Sequence, residues 1–222
     1  MIQIINEIIS VLISFVLGVF VFRYMSPFFR LIFFQLSVWM VFYFFSYLIT
    51  GYQKANGLEM NNQWFMNIHI YIESTLLHCA AFFAFTSKTI KRLSLLSFTL
   101  FTAIYVTQIY FNGFSLFLNY ADVAEGICIT FLYMLLLYNF FMHRNEHWWM
   151  VPEIILCIGI LLYFACSVPY IAMLHYLQTH YPEENNILFR FINDVLANVR
   201  YLFVGISFWL LRRNNILLKR DR

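Results

Sequence analysis

Apolar residues run along this chain in continuous stretches of about twenty, separated by short breaks marked by polar residues, glycine or proline. A hydrocarbon core of about 30 Å needs roughly 20 residues of helix to cross it. On that measure seven stretches are predicted to cross, over residues 5–22, 28–50, 64–86, 93–112, 119–142, 150–176 and 187–211. Strands of a membrane barrel would alternate at every second position over about ten residues, and these runs are unbroken and too long. The pattern predicts an all-α, polytopic membrane protein, a single seven-helix transmembrane domain over residues 1–222.

The breaks carry helix punctuation. Ser26-Pro27 sets a cap and a first-turn proline before the second helix, and Val151-Pro152-Glu153 does so for the sixth, adding an acid that favours a helix N-terminus. Gly51 to Gly57 reads as a polar loop, Asn112-Gly113 as a turn, and Tyr181 to Asn186 as the end of the longest outer loop. Pro169 lies inside the sixth stretch and is expected to kink it, freeing a carbonyl near Ala165. The first stretch has no basic leader, carries Glu7 and lacks a small-x-small cleavage site, so it is expected to stay as a helix.

Composition narrows the class further. Hydrophobic residues make up 62% and charged residues 11%, against roughly 45–50% and 25% in soluble domains. Mean hydropathy is +0.72. A soluble domain, a disordered chain, a collagen, a coiled coil, a disulfide scaffold and a nucleic-acid-binding domain are all excluded, and the expected partner is the lipid bilayer. Cys79, Cys128, Cys157 and Cys166 fall within predicted spans without a CxxC pair and read as small buried hydrophobes.

Basic residues orient the bundle. With the N-terminus outside, eleven of the 14 Lys and Arg residues fall on the inner side, among them Arg23, Arg30, Lys88, Lys91, Arg92, Arg144, Arg212 and Arg213. Lys54 and Arg190 fall outside, and Arg200 lies within the last span. The positive-inside rule then predicts a cytoplasmic C-terminus, whose basic tail anchors to anionic lipid. The expected location is a bacterial inner membrane.

Candidate chemistry lies where ionisable groups enter the membrane, each at about 2.5–3.5 kcal/mol unless it faces the bundle interior and finds a partner. The third stretch carries His69, Glu73 and His78, the fifth Asp122 and Glu125, and the seventh Asn193, Asp194, Asn198 and Arg200. At about 100° per residue, Asn193, Ala197, Arg200 and Val204 share one stripe, with Asp194, Asn198, Tyr201 and Gly205 beside it. Val195, Leu202, Ile206 and Trp209 fall on the opposite, lipid-facing sector. His69 and Glu73 share a face, as do Asp122 and Glu125. Glu73, Glu125 and Asp194 are predicted at similar depth, about 9–15 Å from the outer end, with Arg200 just beneath them and held by Asp194 or an acid of a facing helix. The candidate site is thus a polar, acidic cavity of His69, Glu73, Asp122, Glu125, Asn193, Asp194, Asn198 and Arg200, weighed against a purely structural cluster of interhelical hydrogen bonds.

Established chemistries fit poorly. Retinal needs a lysine in the last helix, where this chain has Arg200. His143-Arg144-Asn145-Glu146-His147 has ligand spacing for zinc but sits beside Trp148 and Trp149 in a predicted interfacial loop. A haem between His69 and His175 lacks an attachment motif, and GxSxG, HExxH and P-loop signatures are absent. No catalytic residue, metal or cofactor is assigned.

The set His69 to Glu73, Tyr120 to Glu125, Tyr163-Phe164 with Ser167, and Asn193 to Asn198 before a basic tail resembles a widespread bacterial group of small seven-helix membrane proteins. That resemblance implies topology and no mechanism, and Asp194 and Arg200 are not part of its pattern. The expected function is receptor-like or accessory: a small ligand or cation binds in the outer cavity, and a membrane or cytoplasmic protein partner carries the output. The alternative is a proton-coupled transporter or intramembrane enzyme using Glu73, Glu125 and Asp194.

Overall fold

The hydropathy breaks become helix ends in the computed structural model, which describes residues 2–57, 63–143 and 147–220. The side chains of residues 2–8, 143, 186, 190, 193, 194 and 217–220 lie outside that description. Among the described residues every regular element is helical. Helix α1 (Ile2–Val21) ends in a 3-10 turn at Phe22–Tyr24 and is followed by α2 (Pro27–Ala55), α3 (Gln63–Ala84), α4 (Lys88–Asn112) and α5 (Asn119–His143). A second 3-10 turn, Trp148–Met150, leads into α6 (Pro152–His180), and then α7 (Pro182–Arg190), a π-helical segment (Phe191–Leu196) and α8 (Ala197–Arg220) follow without interruption.

Three boundaries differ from the hydropathy reading. The expected loop at Gly51 to Gly57 is helical as far as Ala55. One glycine costs a helix only about 1 kcal/mol, and the turn waits for Gly57, whose φ of 64° suits the left-handed region that glycine tolerates. Tyr181 to Asn186 is likewise no loop: Pro182, Glu183 and Glu184 form the first turn of α7, the proline-plus-acid signature that also opens α6. Finally, α6 runs as one helix through Pro169 to His180.

The helices close into a ring, each of α1 to α6 packing on the next, α6 on α8 and α8 back on α1, with α3 also touching α5. Close approach between α5 and α6 depends on Gly126, where a Cβ would collide with Val168. Between α6 and α8 it depends on Gly159, where a Cβ would strike Phe203. Small residues serve this purpose between membrane helices, where packing rather than water exclusion drives association. The α1–α8 seam adds polar contacts, Ser14 Oγ donating to the Tyr201 carbonyl at 2.6 Å and Ser10 Oγ donating to Asn198 Oδ1.

Among the described residues four helices, α2, α4, α5 and α6, are long and apolar enough to cross a membrane, and α1 adds a shorter apolar stretch. Their outward faces expose large apolar side chains, among them Phe44, Leu48, Leu96, Val106, Phe131 and Met134. An apolar exterior of that extent marks a surface made for lipid, and the chain is a membrane-embedded helical protein. α3, which carries more of the buried polar residues than any other helix, and α8, which carries Arg200, are not among the four.

Candidate polar cavity

Helix α3 supplies the centre of the site because five of its polar residues turn inward: Asn67, His69, Glu73, Ser74 and His78 are buried. Glu73 accepts a hydrogen bond from Arg200 Nη2 of α8 and another, at 2.9 Å, from Gln35 Nε2 of α2. His69 Nδ1 lies 3.6 Å from the other carboxylate oxygen. Arg200 is 3% exposed, and its guanidinium carbon sits over the rings of Tyr163, Phe164 and Tyr201 at 4.9, 5.1 and 5.7 Å. A carboxylate with two donors and a guanidinium wrapped in aromatic faces form a self-contained ion pair. The acid that holds Arg200 belongs to a facing helix, one of the two partners expected from the sequence.

A cavity of about 480 Å³ opens beside this pair. Its wall draws on the N-terminal parts of α3 (His69, Glu73) and α5 (Asp122, Glu125), the C-terminal part of α6 (Tyr170, Leu174) and the start of α7 (Asn185). Neighbouring helices run in opposite directions, so these segments meet at one end of the bundle. The basic residues Arg23, Lys88, Lys91, Arg212 and Arg213 lie near the opposite helix ends.

Two buried groups facing the cavity each keep one side-chain atom without a partner. Glu125 is 1% exposed and its Oε1 has no hydrogen-bond partner. His69 is 8% exposed, and its Nε2 is equally without one. Among the described residues no base pairs with Asp122 or Glu125, so the cavity holds two carboxyl groups beyond the Glu73–Arg200 pair. A buried acceptor left unsatisfied costs about 1–3 kcal/mol.

The remaining candidates are placed differently. Asn198 is outside the cavity wall and faces α1 through its bond from Ser10. The side chains of Asn193 and Asp194 lie outside the described residues, as do Arg144, Asn145 and Glu146. His147 stacks on Trp149 at 4.6 Å. Among the described residues no group of three or more His, Cys, Asp or Glu side chains comes together as a metal site.

Three residues outside the candidate set are structural. Gln35, a lone amide in an apolar run, was the signal for Glu73's second donor. Asn67 clamps the α4–α5 connection: its Nδ2 donates to the carbonyls of Phe114 and Leu116 at 2.9 and 2.8 Å, and its Oδ1 accepts from Leu118 N–H at 3.2 Å. Gln108 Oε1 accepts from Ala121 N–H at 2.8 Å. Together they fix the start of α5, and with it Asp122 and Glu125. His78 binds α3 to α4 through Ser97 Oγ at 3.2 Å, away from the cavity.

Fold and site together define a class, a membrane-embedded helical bundle with a polar cavity at one end. Compared with known proteins, the chain matches no family model, no curated protein and no solved structure.

Proposed function

We propose that this chain is a receptor-like or accessory protein of a bacterial inner membrane. It crosses seven times, with its N-terminus outside and its C-terminus in the cytoplasm. It binds a small ligand or cation in the cavity from the outer side, and passes the change to a membrane or cytoplasmic protein partner. The carrying observation is the division of the polar residues: Glu73 and Arg200 satisfy each other, while Glu125 and His69 keep unpaired acceptors on a cavity of ligand size. A purely structural cluster would pair all of its members. The count of seven is supported by α1, α3 and α8 running in the same ring as the four helices that are long and apolar enough to cross. The orientation is supported by the basic residues gathered at the end away from the cavity.

The test is thiol accessibility. Ser167→Cys, with Cys79 and Cys166 replaced by alanine, places a nearly isosteric thiol on the cavity wall. A membrane-impermeant cationic methanethiosulfonate added to intact cells stripped of outer membrane should modify it. A C-terminal reporter active only in the cytoplasm should also be active. Modification only from the cytoplasmic side, or none, would overturn the outer cavity.

One observation favours the transporter reading, the π-helical segment Phe191–Leu196 beside the cavity. Irregular helices at a binding site are common in carriers. Here, however, Glu73 is held by Arg200, which leaves Asp122 and Glu125 to carry protons. Ligand-driven proton uptake in reconstituted vesicles would favour it.

A further inference from the structure

We infer that the cavity ligand is a small primary ammonium ion with an apolar or aromatic body, its N–H donors received by Glu125 and His69. The inference rests on the cavity reading above and goes on to the chemistry that the cavity selects. Both unpaired groups present acceptors. Glu125 Oε1 is a carboxyl oxygen with no donor. His69 has Nδ1 3.6 Å from the Glu73 carboxylate, a negative neighbour that favours the ring proton on that side and leaves the unpartnered Nε2 as the acceptor. Two buried acceptors call for a ligand that brings donors, and a primary ammonium brings three on one atom.

Charge agrees with the donor count. The Glu73–Arg200 pair is formally neutral, and Asp122 and Glu125 add two carboxyl groups without a counter-ion among the described residues, a pair whose ionised form a bound cation would stabilise and an anion would not. An anionic ligand would have to displace Glu73 from Arg200 and lie against both acids. The wall also offers aromatic surface from Trp39, Phe117 and Tyr201, which accommodates a hydrocarbon body and attracts a cation over a ring face. A volume of about 480 Å³ sits in the small-molecule range.

The test uses purified, detergent-solubilised protein and three probes that share a phenylethyl body: 2-phenylethylammonium, its N,N,N-trimethyl analogue and 3-phenylpropionate. The ammonium should raise the melting temperature in a saturable manner, and the carboxylate should not. The trimethyl analogue keeps charge and ring but has no N–H, so its affinity should fall at least about tenfold, the scale of losing a hydrogen bond to a charged group. Glu125→Gln should weaken the ammonium by a similar factor, its unliganded melting curve serving as the folding control. Equal binding of the trimethyl analogue, tighter binding of the carboxylate, or an unchanged affinity in a folded Glu125→Gln would each overturn the inference. So would the absence of any shift. The probe series needs no variant, so it decides the matter even where Glu125→Gln fails to fold. Thiol modification at position 167 without ammonium binding would defeat this inference alone, whereas failure of both would defeat the cavity as well.

Discussion

Arg200→Leu strips the buried carboxylate of Glu73 of its cation and leaves it one amide donor, Gln35 at 2.9 Å, with His69 Nδ1 at 3.6 Å. Glu73 is 9% exposed, so little solvent is at hand to replace the lost cation. Breaking one partner of a buried ion pair costs about 3–5 kcal/mol, because the survivor is left uncompensated. Tyr163, Phe164 and Tyr201 also lose the cation over their faces, at about 0.5–1 kcal/mol each where such contacts stand alone. For a chain of this size about 1 kcal/mol moves the melting temperature by roughly 2–4 °C. Arg200→Leu should therefore melt on the order of 10 °C below the parent, in detergent and away from any ligand. Lys54→Ala, at an exposed position, should not move it. A cycle with Glu73→Gln sharpens the assay: the double variant should be less destabilised than the sum of the singles by about 1–3 kcal/mol. If Arg200→Leu melts with the parent, the guanidinium was already solvated through the cavity. The pair would then be no anchor, and the claim that Glu73 is unavailable to a ligand would fall with it.

Other residues give shorter tests. Glu125→Leu replaces an unpaired carboxyl by an apolar group of similar size, so chemical unfolding should show a gain of about 1–3 kcal/mol; a loss would reveal an unseen structural partner. Asn67→Ala removes three hydrogen bonds to the α4–α5 connection, which should cost about 1–3 kcal/mol and speed proteolysis between Gly113 and Leu118. Gly126→Leu drives a side chain into Val168, stiff at χ1 because it is β-branched, and should cost about 1–3 kcal/mol by overpacking. A thermal melt unchanged by Gly126→Leu would mean that α5 and α6 are free to separate there.

Much of this architecture was readable from residue order, because long apolar runs leave the backbone little choice but helix in lipid. His69 and Glu73 were placed on one face by their spacing of four, and the acid from a facing helix was one of the two partners named for Arg200. What escaped has physical causes. Spacing cannot rank Asp194 against Glu73, since a facing acid depends on the ring order of helices, and that order is set by contacts such as Gly159 on Phe203. Asn198, assigned to the cavity, instead faces α1: it shares its stripe of α8 with Tyr201 and Gly205, and that stripe packs on Ser10 and Ser14. Phase put these residues on one side of the helix but could not say which neighbour that side would meet. The lipid side was more robust: Val195, Leu202, Ile206 and Trp209 are all exposed, as their common sector required.

The site's two halves ask different things of the sequence. α3 and α8 hold a pair whose members compensate each other, which ties the centre of the ring together and keeps Arg200 from offering itself to anions. α5 holds Asp122 and Glu125 against no base among the described residues, on a helix whose start is clamped by Asn67 and Gln108. Two amide side chains spent on fixing one connection make sense if the positions that follow must be held accurately, because a loose α5 could swing Glu125 toward water and relieve its isolation. The clamp does the opposite and keeps the carboxyl buried and unpaired. Stability alone would favour leucine at that position, whereas the ligand proposed above would supply the missing donors to an acid held on a rigid support. On this reasoning Asn67→Ala and Glu125→Leu should differ in kind. Asn67→Ala should lose stability and ligand affinity together, whereas Glu125→Leu should lose affinity while gaining stability. Parallel losses in both variants would instead make Glu125 a packing residue of α5.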